Sequence, residues 1–437
     1  MINKIPLNSN IPEFTFPKYE KIILNDRITI YTLEDFSQIL TDFTVIFSVG
    51  AYKYNQPGLS FFSSKMLAKG TRKKSGTQIS EDFDRLGATL NISADWDCTR
   101  VGFTCLNHHT VKCMDYLIDC IFNSVFKKDE IERLKVKHLA DIEQEKSDAS
   151  YLAGIYLKKS IFKKHPYGQP LIGDNTSIKN LSANDCLDWY DDLLKSAKIN
   201  IIISGNFNKD EIIKKVIRYF KFPKGNSADD MQSYYNKELD SKIIIRHKPN
   251  KQTNLRIGKF AIERTSPDFP AFQFVNTVLG GFFLSRLNRL LREKLGYTYG
   301  ISSYIDAKKL ASLFLISSSL KMEATSDAIK RIIDQLNIIG RKKINQDEFL
   351  LARQYFIGTF IRSLETTRQV ASLIKSQVIF NLKDDYYDDF YKKIKNLTVD
   401  NVFDVQKKYF NSRNLIICAV GDKKNLEHQL KDFPGFY

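Results

Sequence analysis

The pattern of apolar and polar positions divides the chain into two halves that repeat one order of elements. Each half begins with runs of β-branched and aromatic residues, which predict strands at 21–33 and 43–52 in the first half and at 241–248 and 253–263 in the second. Longer segments with helical periodicity follow in both halves. Strands grouped with helices, rather than alternating with them, are typical of α+β domains with a mostly antiparallel sheet.

Glycines mark equivalent points of the two halves. A helix-like segment is entered through Gly58 in the first half and through the Gly280–Gly281 pair in the second. Each half also ends in an apolar strand, a glycine turn at Gly205 or Gly421, and a final helix. The offset between these landmarks is nearly constant, which indicates an ancient duplication.

The two halves are separated by a segment of different composition. Residues 222–240 are polar and rich in turn formers, and they lack periodicity, so they predict a linker. We therefore predict an α+β fold of two homologous halves, residues 1–221 and 241–437. Each half is expected to be a mostly antiparallel sheet packed with helices.

Composition excludes several classes of protein. A hydrophobic content of 43% is too high for a disordered chain. The net charge of +16 comes from lysines scattered in pairs without a stripe, which favours a solvated basic surface over a nucleic-acid site. No stretch approaches the roughly 18 apolar residues that a membrane span needs. No secretory signal is visible, so we expect a cytoplasmic protein, with a periplasmic location left open if a leader precedes this sequence.

The cysteines predict no metal site. None of the six forms a C-x-x-C pair, and none lies beside a histidine at metal-ligand spacing. We expect buried thiols in a reducing compartment. They are Cys98, Cys105, Cys113, Cys120, Cys186 and Cys418.

One segment of the first half, GLSFFSSKMLAKGT at 58–71, resembles the signature helix of the pitrilysin/insulinase peptidases, roughly G-x-A-H-F-x-E-H-M-x-F-x-G-T. In that family, two histidines one helical turn apart bind zinc, and the glutamate between them is the general base for the zinc-bound water. The positions that match the frame of the motif are Gly58, Phe62, Met66, Gly70 and Thr71.

The chemical positions of this motif are altered in the present chain. They carry Phe61, Ser64 and Lys65. Phenylalanine has no lone pair, an ammonium repels Zn²⁺, and serine is no base for metal-bound water near neutral pH. The third zinc ligand of the family is a glutamate on a later helix, and Asp141 falls at that position, with Glu143 the nearest glutamate. The resemblance therefore implies that this chain alone binds no metal and is inactive.

A second segment, LGGFFLSRLNRLLREKLGYTY at 279–299, is very similar to the family pattern G-x-x-x-S-R-L-x-x-x-L-R-E-x-x-G-x-x-Y. In the family, an arginine and a tyrosine of this region hold the substrate backbone and stabilise the oxyanion. Arg292 and Tyr299 match those positions, and Tyr297 is a less favoured candidate.

A purely structural explanation of the same residues stays open. Arg286 and Arg292 can pair with Glu293 on a helix, and Tyr299 can be a core residue of a strand. A further resemblance covers the family's H-P-Y-G stretch, in which we expect His165 to hold a turn.

Taken together, the resemblance implies a non-catalytic subunit of a heterodimeric zinc metallopeptidase. A homologous partner would carry the zinc, this chain would supply the Arg/Tyr pair, and small or unfolded peptides would be the substrates. Two alternatives stay open. The chain can be a structural relative, like the core subunits of the cytochrome bc1 complex or the substrate-gripping subunit of mitochondrial processing peptidase. It can also be a peptide-binding protein without an active partner.

Overall fold

The computed structural model describes residues 11–222, 234, 239–431 and 433. A six-stranded sheet in the first half has the order β1-β2-β6-β3-β5-β4. Its strands are β1 (Glu20–Ile23), β2 (Ile28–Glu34), β3 (Leu40–Phe47), β4 (Thr89–Ala94), β5 (Thr99–Leu106) and β6 (Ile199–Gly205). The β2–β6 pair is parallel, and the other neighbours are antiparallel.

A five-stranded sheet in the second half has the order β7-β11-β8-β10-β9. Its strands are β7 (Lys242–His247), β8 (Gln252–Ala261), β9 (Thr298–Ala307), β10 (Ser312–Lys321) and β11 (Ile416–Gly421). Again one pair, β7–β11, is parallel while the others are antiparallel. The predicted α+β architecture with mostly antiparallel sheets is confirmed.

Helices cover both sheets. Those of the first half are α1 (Leu59–Met66), α2 (Gly76–Arg85), α3 (Thr110–Phe122), α4 (Lys128–Ser147), α5 (Ala149–Phe162), α6 (Asn175–Asn180), α7 (Ala183–Ser196) and α8 (Lys209–Tyr219). Those of the second are α9 (Phe269–Asn276), α10 (Thr325–Arg341), α11 (Gln346–Arg362), α12 (Thr367–Ile379), α13 (Tyr386–Lys395), α14 (Val399–Tyr409) and α15 (Lys423–Leu430). Two π-helical segments, Thr277–Gly281 and Asn288–Lys294, follow α9.

Local sequence explains where several helices begin. Before α2, the Ser75 hydroxyl accepts a hydrogen bond from Gln78 N, and the Gln78 side chain accepts one from Ser75 N. Thr366 and Gln369 form the same reciprocal pair before α12. Such capping boxes satisfy backbone donors that a helix start leaves without partners.

Side chains that alternate along the strands of the first sheet contribute to two apolar layers, one on each face. Ile30, Val45 and Ile201 face the main core beneath α1, α3 and α7. Their neighbours Tyr31 and Ile202 point to the opposite face. Because successive side chains of a strand point to opposite sides, both faces of this sheet are covered.

In each half, one helix packs against the sheet of the other half. From the first half, α5 packs on β8 and β11 of the second sheet, where Ala153, Leu157 and Ile161 are fully buried. From the second half, α12 packs on β2 and β6 of the first sheet through residues that include Val370 and Ile374. The halves are thus joined by two reciprocal apolar layers.

A buried polar bridge also links the halves. The Tyr167 hydroxyl donates to Asp97 Oδ1 and accepts from Leu310 N at 3.2 Å, and Lys309 N donates to Asp97 Oδ2 at 3.0 Å. Burial raises the pKa of Asp97, while the hydrogen bonds from Tyr167 and Lys309 oppose that rise. Tyr167 belongs to the H-P-Y-G stretch, so this motif contributes directly to the contact between halves.

The structure differs from the sequence prediction at the second glycine landmark. The Gly280–Gly281 pair does not simply open a helix, because the π-helical segment Thr277–Gly281 ends there and a further helical stretch starts only at 286. Most of the predicted linker 222–240 lies outside the described residues. None of the helices formed by the described residues combines the length and apolar character that crossing a membrane requires.

Candidate functional site

The helix that resembles the zinc motif is held in place by its glycine. Gly58 precedes α1 with φ +85°, a left-handed conformation that favours glycine. A Cβ at this position would lie 2.8 Å from Gly173 Cα and 2.9 Å from Ile172 O. From this start, α1 buries Phe62 and Met66 completely. Packing therefore accounts for three of the residues that match the frame of the motif, Gly58, Phe62 and Met66.

The three positions that would carry the chemistry are filled by packing groups. Ser64 is buried, and its hydroxyl donates to Phe61 O at 2.9 Å, so it is turned back onto its own helix. The Lys65 ammonium lies 4.3 Å from the centroid of the half-buried Phe61 ring. Burial lowers the pKa of Lys65, and the nearby carboxylate of Asp141 opposes this shift. A cation and an aromatic ring thus occupy the place of two imidazoles.

The facing helix α4 brings His138 and Asp141 to the same place. His138 is only 1% exposed, and its ring lies 5.5 Å from the Phe61 ring and 5.8 Å from the Phe62 ring, centroid to centroid. Its Nε2 donates to Ile172 O at 2.7 Å. Burial lowers the pKa of His138, which favours the neutral ring.

This arrangement provides no zinc-binding set. Within the described parts of the chain, no group of three His, Cys, Asp or Glu side chains is placed to hold a metal ion. Asp141 lies beside Lys65 instead of beside two histidines, and Glu143 is exposed and accepts hydrogen bonds from Asn175 and Lys146. Activation of a metal-bound water therefore has no basis in these residues.

The second motif is anchored by polar contacts. Arg286 does not pair with Glu293; its Nε and Nη2 each lie 2.7 Å from a carboxylate oxygen of Glu348 on α11. Asn288 Nδ2 donates to Ile301 O of β9 at 2.8 Å, and Asn276 Nδ2 donates to Ser303 O at 3.1 Å. Asn288 thus links the second π-helical segment to β9, and Asn276 links the end of α9 to the same strand.

The proposed substrate-binding residues differ in how they are held. Tyr299, the second residue of β9, is 91% exposed, which excludes the core role that its sequence position left open. Arg292 lies in the π-helical segment that packs on β9, and its guanidinium carbon is 4.2 Å from the ring centroid of Phe283. The Tyr297 hydroxyl instead donates to Asp327 Oδ2 at 2.9 Å, and this hydrogen bond raises the pKa of Tyr297.

Phe283 is a residue whose role the sequence did not reveal. In the motif it is only one of two phenylalanines after a glycine pair. In the structure Phe283 is 56% exposed, and the Arg292 guanidinium lies over its ring in a cation–π contact. Phe282, its neighbour, is buried against Tyr355, with ring centroids 4.8 Å apart. The signal available in the sequence was the pair of adjacent phenylalanines. The sequence does not show which of the two is exposed and which is buried.

The other predicted features fit structural roles. His165 Nδ1 accepts a hydrogen bond from Tyr167 N at 3.2 Å and so holds the turn before Tyr167. All six cysteines are buried and free of disulfides. Burial raises the pKa of Cys120 and Cys418 to about 12, so these thiols are protonated at neutral pH.

Comparison with known proteins places both halves in one family. Residues 43–175 match the profile of "Insulinase (Peptidase family M16)", and residues 180–356 match that of "Peptidase M16 inactive domain". The chain is 23% identical to the "Uncharacterized zinc protease YmxG" of Bacillus subtilis, over 81% of this chain and 86% of the relative. It is 20% identical to the "Non-peptidase homolog YmxG" of Helicobacter pylori, over 85% and 86% respectively.

Solved structures show the same fold. A "peptidase M16 inactive domain" from Pseudomonas fluorescens is similar with a TM-score of 0.84 and 23% identity, covering 92% of this chain and 98% of that one. A protease from Helicobacter pylori has a TM-score of 0.83 at 18% identity, covering 92% and 99%.

Proposed function

Because the chain belongs to the insulinase family of peptidases, family M16, we propose that it is the zinc-free subunit of a two-chain metallopeptidase. In this proposal a homologous partner carries the zinc and the general base. The present chain contributes Arg292 and Tyr299, which hold the backbone of a small or unfolded peptide and donate hydrogen bonds to the oxyanion.

The altered zinc motif supports the first part of the proposal. Phe61 and Lys65 stand where the family's zinc-binding histidines stand, and they are packed with His138 in a continuous cluster. An M16 chain built in this way is a non-catalytic homologue. The name of the Helicobacter pylori relative, "Non-peptidase homolog YmxG", agrees with this view.

The observation that carries the second part is the exposure of Tyr299. Tyr299 is 91% exposed, so its phenol is accessible to a group outside the chain, and it lies at the position that matches the tyrosine of the family motif. Arg292 lies on the adjacent segment and meets Phe283, and no ion pair or hydrogen bond joins its guanidinium to another described residue. A guanidinium and a phenol are suitable donors to a carbonyl oxygen that becomes negative.

A structural or peptide-binding homologue without peptidase activity is the second candidate. The name of the Helicobacter pylori relative, "Non-peptidase homolog YmxG", favours it, because it describes that protein as lacking peptidase activity. Under this candidate the same surface would bind peptide or another subunit without any chemistry.

Co-purification from the native source separates the two candidates. An affinity-tagged chain, gently cross-linked before lysis, is expected to bring down a similar-sized M16 chain with an intact H-x-x-E-H motif. The eluate should hydrolyse a quenched fluorogenic peptide, and a chelator should abolish that activity. Recovery of a homodimer without a zinc-bearing chain and without hydrolysis would favour the structural or peptide-binding homologue.

A further inference from the structure

A cavity of about 570 Å³ lies on the face of the first sheet opposite to α1. Its floor consists of cross-strand neighbours: Thr29 pairs with Asn200, and Asn200 pairs with Ile46. Lys21 and Tyr31, paired between β1 and β2, continue this floor. The cavity is therefore separated from the altered zinc motif by the thickness of the sheet.

Both halves of the chain enclose this cavity. The C-terminal end of α12 contributes Val378 and Ile379, and the connection between β9 and β10 contributes Lys309. A volume in this range fits a small organic molecule. The cavity lies beneath α12, the helix of the second half that packs on the first sheet. The second half therefore provides part of its walls.

Neutral polar groups line the interior of the cavity. Tyr31 is only 8% exposed, yet its hydroxyl has no hydrogen-bond partner among the described residues. Burial, reinforced by Asp384 and Tyr19, raises the pKa of Tyr31 to about 12, so the hydroxyl keeps its proton. The half-buried amide of Asn200 likewise makes no hydrogen bond to the described chain. Both polar groups line the cavity, so a bound ligand can form hydrogen bonds with them.

Among the charged residues of the lining, one cation and one anion have no ion-pair partner in the described part of the chain. Lys21 Nζ lies 2.9 Å from both carboxylate oxygens of Asp384, so these two charges balance. Asp97 is bonded to Tyr167 and to a backbone amide, as described above. The exposed side chains of Lys198 and Asp26 make no ion pair with any described residue.

We propose that this cavity binds a short zwitterionic peptide. The ligand's carbonyl accepts a hydrogen bond from Tyr31, and its amide meets Asn200. The terminal carboxylate is attracted to Lys198 and the terminal ammonium to Asp26. An apolar side chain packs on Ile46 and the end of α12. This site goes beyond the proposed peptidase function, because it needs neither zinc nor a partner subunit.

Calorimetric titration of the full chain with the dipeptide glycyl-leucine tests the proposal. We expect saturable binding with one site per chain and a dissociation constant below about 1 mM. The blocked form, N-acetyl-glycyl-leucine amide, should bind at least tenfold more weakly because it lacks both charges. Absence of saturable binding of glycyl-leucine, or equal binding of the blocked form, overturns the proposal.

Variants locate the binding in the cavity. Tyr31→Phe removes one hydroxyl and should weaken binding about five- to tenfold, whereas Tyr304→Phe, on the second sheet, should leave it unchanged. Ile379→Trp places a large ring at the edge of the cavity and should abolish binding, which keeps the test decisive if Tyr31→Phe does not fold. Thermal unfolding confirms that each variant is folded. Unchanged affinity in a folded Ile379→Trp variant contradicts the proposed site.

Discussion

Single residues decide what the altered zinc site can do. Lys65 introduces a positive charge at a position where the family motif has a zinc ligand. The Ser64 hydroxyl donates a hydrogen bond to a backbone carbonyl of its own helix. Phe61 fills the remaining space and packs with the neutral His138. Restoring one histidine would therefore not restore a site, because the other two positions would still carry side chains that do not serve as a zinc ligand or a general base.

The Arg292→Ala and Tyr299→Phe variants test the donor pair. Each removes a hydrogen-bond donor to the oxyanion, which typically costs about 3 kcal/mol, or about a hundredfold in rate. We expect kcat of the assembled complex to fall by this amount while assembly and zinc content are unchanged. Arg289→Ala, an exposed arginine of the same segment, is the matched control. Wild-type turnover in both variants would show that the pair is structural.

Phe283 should matter through Arg292. A cation–π contact at an exposed site contributes about 0.5–1 kcal/mol, so Phe283→Leu should lower kcat/KM of the complex about two- to fivefold. Phe283→Tyr keeps the aromatic face and should be close to wild type. In an Arg292→Ala background, Phe283→Leu should have no further effect. Additive losses in the double variant would show that Phe283 acts independently of Arg292.

Much of the element order could be read from the sequence. The β-branched and aromatic residues at β3 and the apolar runs of β6 and β11 predicted strands, and Gly58 correctly predicted the start of α1. The Gly280–Gly281 pair was harder to interpret because one helical segment ends there before the next begins. The sequence showed that zinc ligands were missing, but the exposure of Tyr299 depends on tertiary packing.

The exchange of α5 and α12 was not predictable from periodicity. An apolar stripe shows that a helix face is buried, but it does not identify the sheet against which it packs. Here α5 continues directly from the first half and yet covers the second sheet. Ion pairs also link α5 to β9. Lys158 of α5 lies 2.9 Å from the carboxylate of Asp306 in β9, and Lys308 lies 2.6 Å from the same carboxylate.

Acid titration of stability should report this link between α5 and β9. Burial raises the pKa of Asp306, but Lys308 and Lys158 outweigh it and bring the pKa to about 2 from its ordinary 3.8. Because the folded pKa is the lower one, the stabilisation is complete above 3.8 and is lost as the pH falls towards 2. It amounts to about 2 kcal/mol at neutral pH.

The Asp306→Asn variant checks this value by chemical denaturation. Its free energy of unfolding should be about 2 kcal/mol lower than that of the wild type at pH 7, and the difference should shrink as the pH falls below 4. Asp400→Asn, which removes an exposed pair with Lys343, should change the free energy by less than about 0.5 kcal/mol. Equal pH profiles for the wild type and Asp306→Asn would rule out this role of Asp306.

At the scale of the whole molecule, the reciprocal helices make each half depend on the other. Residues 1–221 expressed alone would expose the apolar face of α5, including Leu157 and Ile161, and would leave one face of the first sheet without α12. We expect each separate half to aggregate, and 1–221 and 241–437 to form a soluble complex when expressed together. Size-exclusion chromatography distinguishes these outcomes. A monomeric, cooperatively unfolding single half would contradict the prediction.

The central claim is that this M16 chain is inactive alone and complements a zinc-bearing partner. Metal analysis and peptide hydrolysis, performed side by side on the isolated chain and on the complex from the native source, test it most directly. We predict no stoichiometric zinc and no hydrolysis for the isolated chain, and about one zinc per heterodimer with chelator-sensitive hydrolysis for the complex. Close to one zinc per isolated chain, together with chelator-sensitive cleavage, would contradict the account.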